Sequence, residues 1–555
     1  MTSLADRIGI DLDNTIIFYG NLFHGLAVKE SWIDETCPVE KDAIKKNLKQ
    51  RSDDELGELR WQQLQAWAYG KHIGEAGIFD GLATFIHEAR TRGDKIFIIS
   101  HKTKFSNYDP TVNLHQMALK TLSERGFFNP MDSGGLGFTK EDVFFSATLE
   151  EKIEKIENLN VSFFIDDLVK VLSHKKFPIK TRGIHFCTQI KDATENWQTF
   201  SDWHELAGFF QLFHLFQSEL GSIPKKIKVL GNPGNNKINR VTLENGKEYV
   251  VKRYLSHAAN CQTRMKADFG HLKALWTVGF RNIPQPIFSH DHHAVFSFVE
   301  AKPLKKIEEN EINQVLDFLY ALNDCQVKLH ALTKLPASDS RNCPLDYLSH
   351  INKRWKKIAE GCLTETWGKE VISFLKNQLS PVRDYLEKKF YKDLDCNGID
   401  PKKNLTMDQL FFSPSDFGFH NILADEEGML FFFDFEYSGW DDPAKLIADF
   451  FHHVGQKVPW EFKWHLLNKF ASKRALDPEF LQRWNIVVDL VGLEWILIVL
   501  NIADPKEMQR KQFARPGLEA SVLIRERLNK ANELIAPMKK RMRSGENFIS
   551  IPPKP

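Results

Sequence analysis

Two carboxylates and an amide in the C-terminal half have the types and spacing that phosphoryl transfer requires. Asp416 and Asn421 stand five residues apart in SPSDFGFHNIL, and Asp434 follows thirteen residues later, ending the apolar run of MLFFFDFEY. In such a spacing one carboxylate orients or deprotonates a hydroxyl, while the amide and a strand-end carboxylate hold a metal ion on nucleotide phosphates. Asp416 is therefore read as the hydroxyl-orienting base, with Asn421 and Asp434 as metal ligands. The letters D-F-G at 416–418 are coincidental, and Phe417 and Gly418 are read as loop residues.

A second constellation lies near the N-terminus. Asp11 and Asp13 close an apolar strand in DRIGIDLDNT, two residues apart and so on one side of it. One can attack phosphorus while the other exchanges a proton with the entering or leaving oxygen. A carboxylate nucleophile needs a metal ion to offset its repulsion of phosphate, and Asp166 and Asp167, ending VSFFIDD, are the natural further ligands. Ser100, ending KIFIIS, offers a hydroxyl to a phosphoryl oxygen. Lys152, thirteen residues before Ile165, is placed to neutralise transition-state charge, and Lys155, one helical turn on, is the alternative.

Strand ends must carry these groups. Residues 1–200 alternate apolar strands with amphipathic helices such as GLATFIHEARTRG, which predicts an α/β domain with a largely parallel sheet. A polar, helix-prone insert over residues 20–78 would sit above the strand ends as a lid. The apolar segment 201–222 reads as a helix at the junction, packed between domains rather than flexible. From residue 223, IPKKIKVLGNPGNNKINRVTLENGKEYVVKRY alternates short strands around an Asn245-Gly246 turn, predicting an antiparallel hairpin sheet over 223–304. Helical periodicity dominates 305–555 and ends in a basic tail, read as a solvated face.

Composition bounds the rest. The chain has 555 residues, 42% hydrophobic and 26% charged, with a formal net charge of +1, so two or three globular domains are expected and no nucleic-acid partner. Seven cysteines without a C-x-x-C pair read as reduced thiols. The first residues lack the apolar core of a signal peptide, and LVGLEWILIVLNIAD, interrupted by Glu494, reads as a buried core helix rather than a membrane span. A cytoplasmic location is expected.

The N-terminal D-x-D-x-T, strand-end serine, lysine and acidic pair, in that order, resemble the haloacid dehalogenase (HAD) superfamily. The resemblance implies Asp11 as nucleophile, Asp13 as general acid/base, and Mg²⁺ held by Asp11, Asp166 and the Asp13 backbone carbonyl. Residues from about 223 to 530 resemble the aminoglycoside phosphotransferase and choline-kinase-like family. That resemblance implies a two-lobed α+β fold, ATP with Mg²⁺, and a phosphate-covering loop at GNPGNN with Gly231 and Gly234. It further implies Lys252 on the nucleotide phosphates, Asp268 as its acidic partner, and a hinge at Ser297 and Phe298 whose backbone binds adenine. Pro414 stands where that family usually has a bracing histidine.

The expected function is a bifunctional enzyme with phosphate-ester and alcohol substrates. A small-molecule phosphatase and an ATP-dependent kinase would act on successive steps, as in sugar or polyol activation. The alternative is a kinase whose HAD-like domain is regulatory. Asp442-Pro443 reads as a helix cap, Asp449 as a brace of the catalytic loop, and the clusters at His290–His293 and His452–His453 as surface or packing groups.

Overall fold

Short apolar runs between amphipathic helices build a parallel sheet in the N-terminal part of the chain. The computed structural model describes residues 5–51, 54–187, 198–230, 236–254, 261–455, 458–514, 519–546 and 548. Two compact units are present, one of residues 1–226 with 243–245, the other of residues 227–242 with 246–555.

In the first unit β1 (Arg7–Ile10) is followed by a two-stranded antiparallel pair, β2 (Ile17–Phe18) and β3 (Gly77–Ile78). That pair closes the base of the insert, whose helices are Gly20–Lys29, Lys41–Gln50 and Asp54–Ala66, followed by a π-helical turn at Trp67–Lys71. The main sheet adds β4 (Lys95–His101), β5 (Val143–Ser146), β6 (Phe163–Asp166), β7 (Arg182–Phe186) and β8 (Gln198–Phe200), in the order β5-β4-β1-β6-β7-β8, all parallel. β1 is central, between β4 and β6, and Ile8, Gly9 and Ile10 in succession are all buried, as a strand covered on both faces requires. One face packs Phe97, Ile99 and Phe164 against Ile153 and Ile156 of the helix Leu149–Asn158. The other face is covered by the helices Leu82–Thr91 and Trp203–Leu220, through Phe85, Trp203 and Phe210 on Phe163 and Phe186. The segment read as a junction helix is thus a layer of this unit: its aromatic face is the one that covers the sheet.

The second unit carries an antiparallel sheet of β9 (Pro224–Val229), β10 (Asn236–Leu243), β11 (Glu248–Tyr254), β12 (Pro286–His290) and β13 (His293–Ser297), ordered β12-β13-β11-β10-β9. The Asn245-Gly246 turn joins β10 to β11, with Gly246 at φ +81°, a conformation that glycine adopts without strain. The helix Cys261–Thr277 follows β11. Then come β14 (Lys302–Pro303), β15 (Phe411–Ser413), β16 (Ile422–Ala424), β17 (Leu430–Phe432) and β18 (Gly439–Asp441), in a three-stranded sheet β14-β16-β17 and a pair β15-β18. Around them stand long helices, among them Glu309–Asp324, Leu345–Gly361, Pro443–His452 and Phe480–Leu500. The last is long and apolar enough to cross a membrane, but 83% of its most apolar window is buried inside the unit. Its Glu494 is buried too, taking ion pairs from Arg341 at 2.6 Å and Arg354 at 3.0 Å. That is the packing of a core helix.

Candidate functional site

The loops at the ends of β1, β4 and β6 converge on one cavity of about 360 Å³ in the first unit. Asp11 lies one residue past β1, its N–H donating to the Ile165 carbonyl of β6 at 2.9 Å. Lys152, on the helix Leu149–Asn158, donates to Asp11 Oδ1 and Asp166 Oδ2, both at 2.6 Å. Lys155 lies instead over the Phe144 ring, 4.8 Å from its centroid. Burial raises the Asp11 carboxyl to about 7; Lys152 opposes that rise while Asp166 and Asp13 add to it. Asp13 is held by two groups that the motifs did not single out. Tyr19 donates to its Oδ1 at 2.7 Å, and Lys102 pairs with its Oδ2 at 2.8 Å.

The adjacent acids divide their work. Asp166 is fully buried, with one oxygen on Lys152 and the other accepting from the Leu168 N–H at 2.8 Å. Asp167 lines the cavity with Asp11 and Asp13, and burial, then Asp11 and Asp166, push its carboxyl up. Of the two adjacent acids expected as metal ligands, Asp166 thus turns its oxygens to Lys152 and the Leu168 N–H, and Asp167 is the one that lines the cavity. Hard carboxylate oxygens crowded at Asp11, Asp13 and Asp167 suit Mg²⁺, which would relieve their mutual repulsion. Ser100 Oγ is buried without a hydrogen-bond partner among the described residues, beside His101 and Lys102, which line the cavity. A buried hydroxyl of this kind would be satisfied by a water or by a ligand oxygen.

In the second unit Lys252 of β11 reaches three carboxylates. Its Nζ is 2.8 Å from Asp268 Oδ2, 2.5 Å from Asp434 Oδ1 and 3.5 Å from Glu436 Oε2. The shorter Asp268 side chain makes this contact from the helix Cys261–Thr277, and it is held in turn by the Tyr254 hydroxyl and, at 3.1 Å, by the Phe435 N–H. Burial raises the Asp434 carboxyl to about 6, with Lys252 opposing and Asp268 and Glu436 adding. Glu436, also buried, accepts from Asn236 at 2.7 Å.

Asp416 follows β15 in a loop whose backbone is unusual. Ser415 and Asp416 have φ of +53° and +22°, and Asp434 has +62°, left-handed values that non-glycine residues adopt at a cost of about 1–3 kcal/mol each. Asn421 ties the two loops together: its Nδ2 donates to the Asp416 carbonyl at 3.1 Å and its carbonyl accepts the Phe433 N–H at 3.0 Å. This leaves Asn421 Oδ1 and the second Asp434 oxygen as donors that fit Mg²⁺. Phe417, read as a mere loop residue, is buried and stacks on Phe432, anchoring the loop to the core.

Two histidines stand on Asp416. His420 Nε2 is 3.4 Å from Oδ2 and His453 Nε2 is 3.4 Å from Oδ1, and the two rings stack at 4.3 Å. Burial would raise the Asp416 carboxyl, but the hydrogen bonds and charge of these imidazoles outweigh it and hold it well below the usual carboxylate range. A packing role for His453 is thus corrected: the end of the helix Pro443–His452 delivers it to Asp416. Gly418 makes room, since a Cβ there would meet His420 Nδ1 at 3.0 Å and His453 Cγ at 3.3 Å. Asp449 acts one step away, accepting from Trp495 Nε1 at 3.0 Å, and His453 packs on the Trp495 ring. Asp442 caps its helix as read, accepting from the Ala444 N–H at 3.0 Å.

In the segment read as the hinge, two backbone N–H groups are already paired. The Ser297 N–H donates to the Gln285 carbonyl at 2.8 Å and the Phe298 N–H to the Glu248 carbonyl at 3.2 Å, so neither is free for adenine. Gly231 and Gly234 lie outside the described residues.

No family model matches the chain, and no curated protein matches it. Among solved structures it is similar to a Plasmodium vivax ethanolamine kinase, with 14% identity and a TM-score of 0.40 over 62% of this chain and 92% of that one. It is similar to a spectinomycin phosphotransferase, solved with ADP and spectinomycin, at 14% identity and a TM-score of 0.40 over 59% and 98% of the two chains. A Streptococcus pneumoniae choline kinase gives 16% identity and a TM-score of 0.38 over 59% and 98%. At such scores the likeness decides nothing about chemistry, and the functional reading rests on the side chains.

Proposed function

We propose that the chain is a two-site phosphotransfer enzyme: an ATP-dependent kinase of small-molecule alcohols in the second unit and an aspartyl-phosphate phosphomonoesterase of HAD type in the first. The observation that carries the kinase reading is the clamp of Lys252 on Asp268 and Asp434, joined through Asn421 to Asp416. Asp416, kept ionised by His420 and His453, accepts the proton of the substrate hydroxyl as its oxygen attacks the γ-phosphorus. Lys252 offsets charge on the nucleotide phosphates. Mg²⁺, held by Asn421 and Asp434, would neutralise charge on the transferred phosphoryl group.

In the first unit Asp11 attacks the phosphorus of an ester while Asp13 gives its proton to the leaving oxygen. Asp13 then takes a proton from the water that hydrolyses the acyl phosphate. Lys102 and Tyr19 position Asp13, Lys152 offsets charge beside Asp11, and Mg²⁺ at Asp11, Asp167 and the Asp13 carbonyl would supply the remaining compensation. Opposed activities on one hydroxyl would only consume ATP, so the two sites serve different positions or successive intermediates, as in activation of a sugar or polyol.

The test is separation of the activities. Asp416→Asn is expected to lose ATP-dependent phosphorylation and keep phosphate release from esters, and Asp11→Asn the reverse. Phosphorylation without any Asp11-dependent phosphate release would leave the first unit a regulatory ligand-binding domain.

A further inference from the structure

The insert sets a second group of side chains over the carboxylates of the N-terminal cavity. Lys41, Gln62, Gln65 and Tyr69 of the insert line it opposite Asp11, Asp13 and Asp167, with Asn107 at its rim. Four lysines line this cavity and are not equivalent: Lys170 is exposed to solvent, and the other three are not. Lys152 is committed to Asp11 and Asp166, and Lys102 to Asp13. Lys41, the first residue of the helix Lys41–Gln50, has no carboxylate within ion-pair distance among the described residues and donates instead to the neutral Tyr69 hydroxyl at 3.0 Å.

Tyr69 is a fixed platform for it. The ring packs edge-on against Tyr19 at 4.8 Å and Phe23 at 5.5 Å, while Lys102 lies 4.6 Å from its centroid. It stands in the π-helical turn Trp67–Lys71, a deviation frequent at functional sites. Gln62 and Gln65, one turn apart on the helix Asp54–Ala66, make no side-chain hydrogen bond among the described residues, and neither does Asn107. A cation with no ion pair of its own, which feels Asp13 and Asp167 only at longer range, stands beside cavity-facing amides, an arrangement that an anion flanked by hydroxyl groups would engage in a cavity of about 360 Å³.

We propose that the N-terminal cavity accepts a phosphate monoester whose leaving group is a short hydroxylated chain bearing a second anion, with Lys41 on Tyr69 reading that anion and Gln62 and Gln65 its hydroxyls. The inference rests on the phosphomonoesterase reading and names its substrate class. The second anion is a carboxylate or a phosphate.

Glycerol 3-phosphate, 3-phosphoglycerate and fructose 1,6-bisphosphate separate these cases, the first lacking a second anion. Phosphate release by the full chain is expected to favour one of the latter two by about tenfold in kcat/KM over glycerol 3-phosphate. In Lys41→Met that ratio falls toward one through KM, and Lys41→Arg restores it. Calorimetric titration of the same three ligands into Asp11→Asn and into Asp11→Asn/Lys41→Met reads the site without turnover. Lys41-dependent preference in binding with no phosphate release from any ester would keep the anion site and overturn the hydrolytic reading. Phosphate release with no preference, or a preference that survives Lys41→Met, would overturn the anion site alone. Neither binding nor release would overturn both.

Discussion

Lys252→Met removes the one ammonium shared by Asp268, Asp434 and Glu436. The three contact distances of 2.8, 2.5 and 3.5 Å confine those carboxylate oxygens to within about 6 Å of one another. Breaking a buried ion pair from one side costs about 3–5 kcal/mol. The lower end applies here, because Tyr254 and the Phe435 N–H still donate to Asp268 and Arg264 stands 3.4 Å from Glu436. A second change, Asp268→Asn, removes one negative charge from the cluster. It should therefore return about 1–3 kcal/mol to the Lys252→Met background, a coupling typical of groups in contact. Because two units complicate a single unfolding transition, hydrogen exchange in peptides from β11 and the helix Cys261–Thr277 is the appropriate assay. A deficit of about 3 kcal/mol in those peptides, partly recovered in the double variant, is expected. Less than about 1 kcal/mol lost, or further loss on adding Asp268→Asn, would refute the electrostatic account of the clamp.

Three more outcomes follow from particular contacts. His420 and His453 each reach Asp416 at 3.4 Å, long for a charge-assisted hydrogen bond, so each contributes about 1 kcal/mol; single glutamine variants should lower kcat about fivefold and the double variant more, with KM for ATP little changed. His271 is buried between Ser438 and Thr333, and burial lowers its imidazole to about 4 despite Asp268. A depressed folded value means the stability it contributes is present above about 6.5 and lost as pH falls toward 4. Near pH 5 that loss is about 2 kcal/mol, and His271→Gln should flatten this part of the profile in a denaturant series. Gly439, at φ +149°, has backbone of Pro336 and Ala337 where a Cβ would lie, 2.5 Å away, so Gly439→Ala should lower stability by about 3 kcal/mol or more, read as loss of exchange protection in β15 and β18.

Groups that act through chain spacing were readable before any coordinates. Asp416, Asn421 and Asp434 lie in the loops that join short strands, and Asp11, Asp13 and Lys152 at strand and helix edges near one sheet. What escaped are groups that reach the sites from elsewhere. His453 arrives from 37 residues away at the end of a helix, and nothing in its local sequence distinguishes it from a packing residue. Lys41 and Tyr69 come from the insert, which has no motif. Lys102 left a fainter signal: it stands two residues past Ser100, the period that keeps side chains on one side of an extended segment. The same period decides between adjacent acids, since only one of Asp166 and Asp167 can face the cavity, and the motif could not say which. Ser297 ends β13 and Phe298 follows it, and the sequence does not show that the N–H groups of both are taken up by Gln285 and Glu248.

The most direct test of the central claim follows the γ-phosphoryl group itself. The 555-residue chain is incubated with γ-labelled ATP, Mg²⁺ and a small-molecule extract, and the products are separated and counted. Label in a phosphorylated small molecule with the wild type, and none with Asp416→Asn, is the predicted result. Transfer that persists in Asp416→Asn, or no transfer by the wild type to any acceptor, would contradict the account.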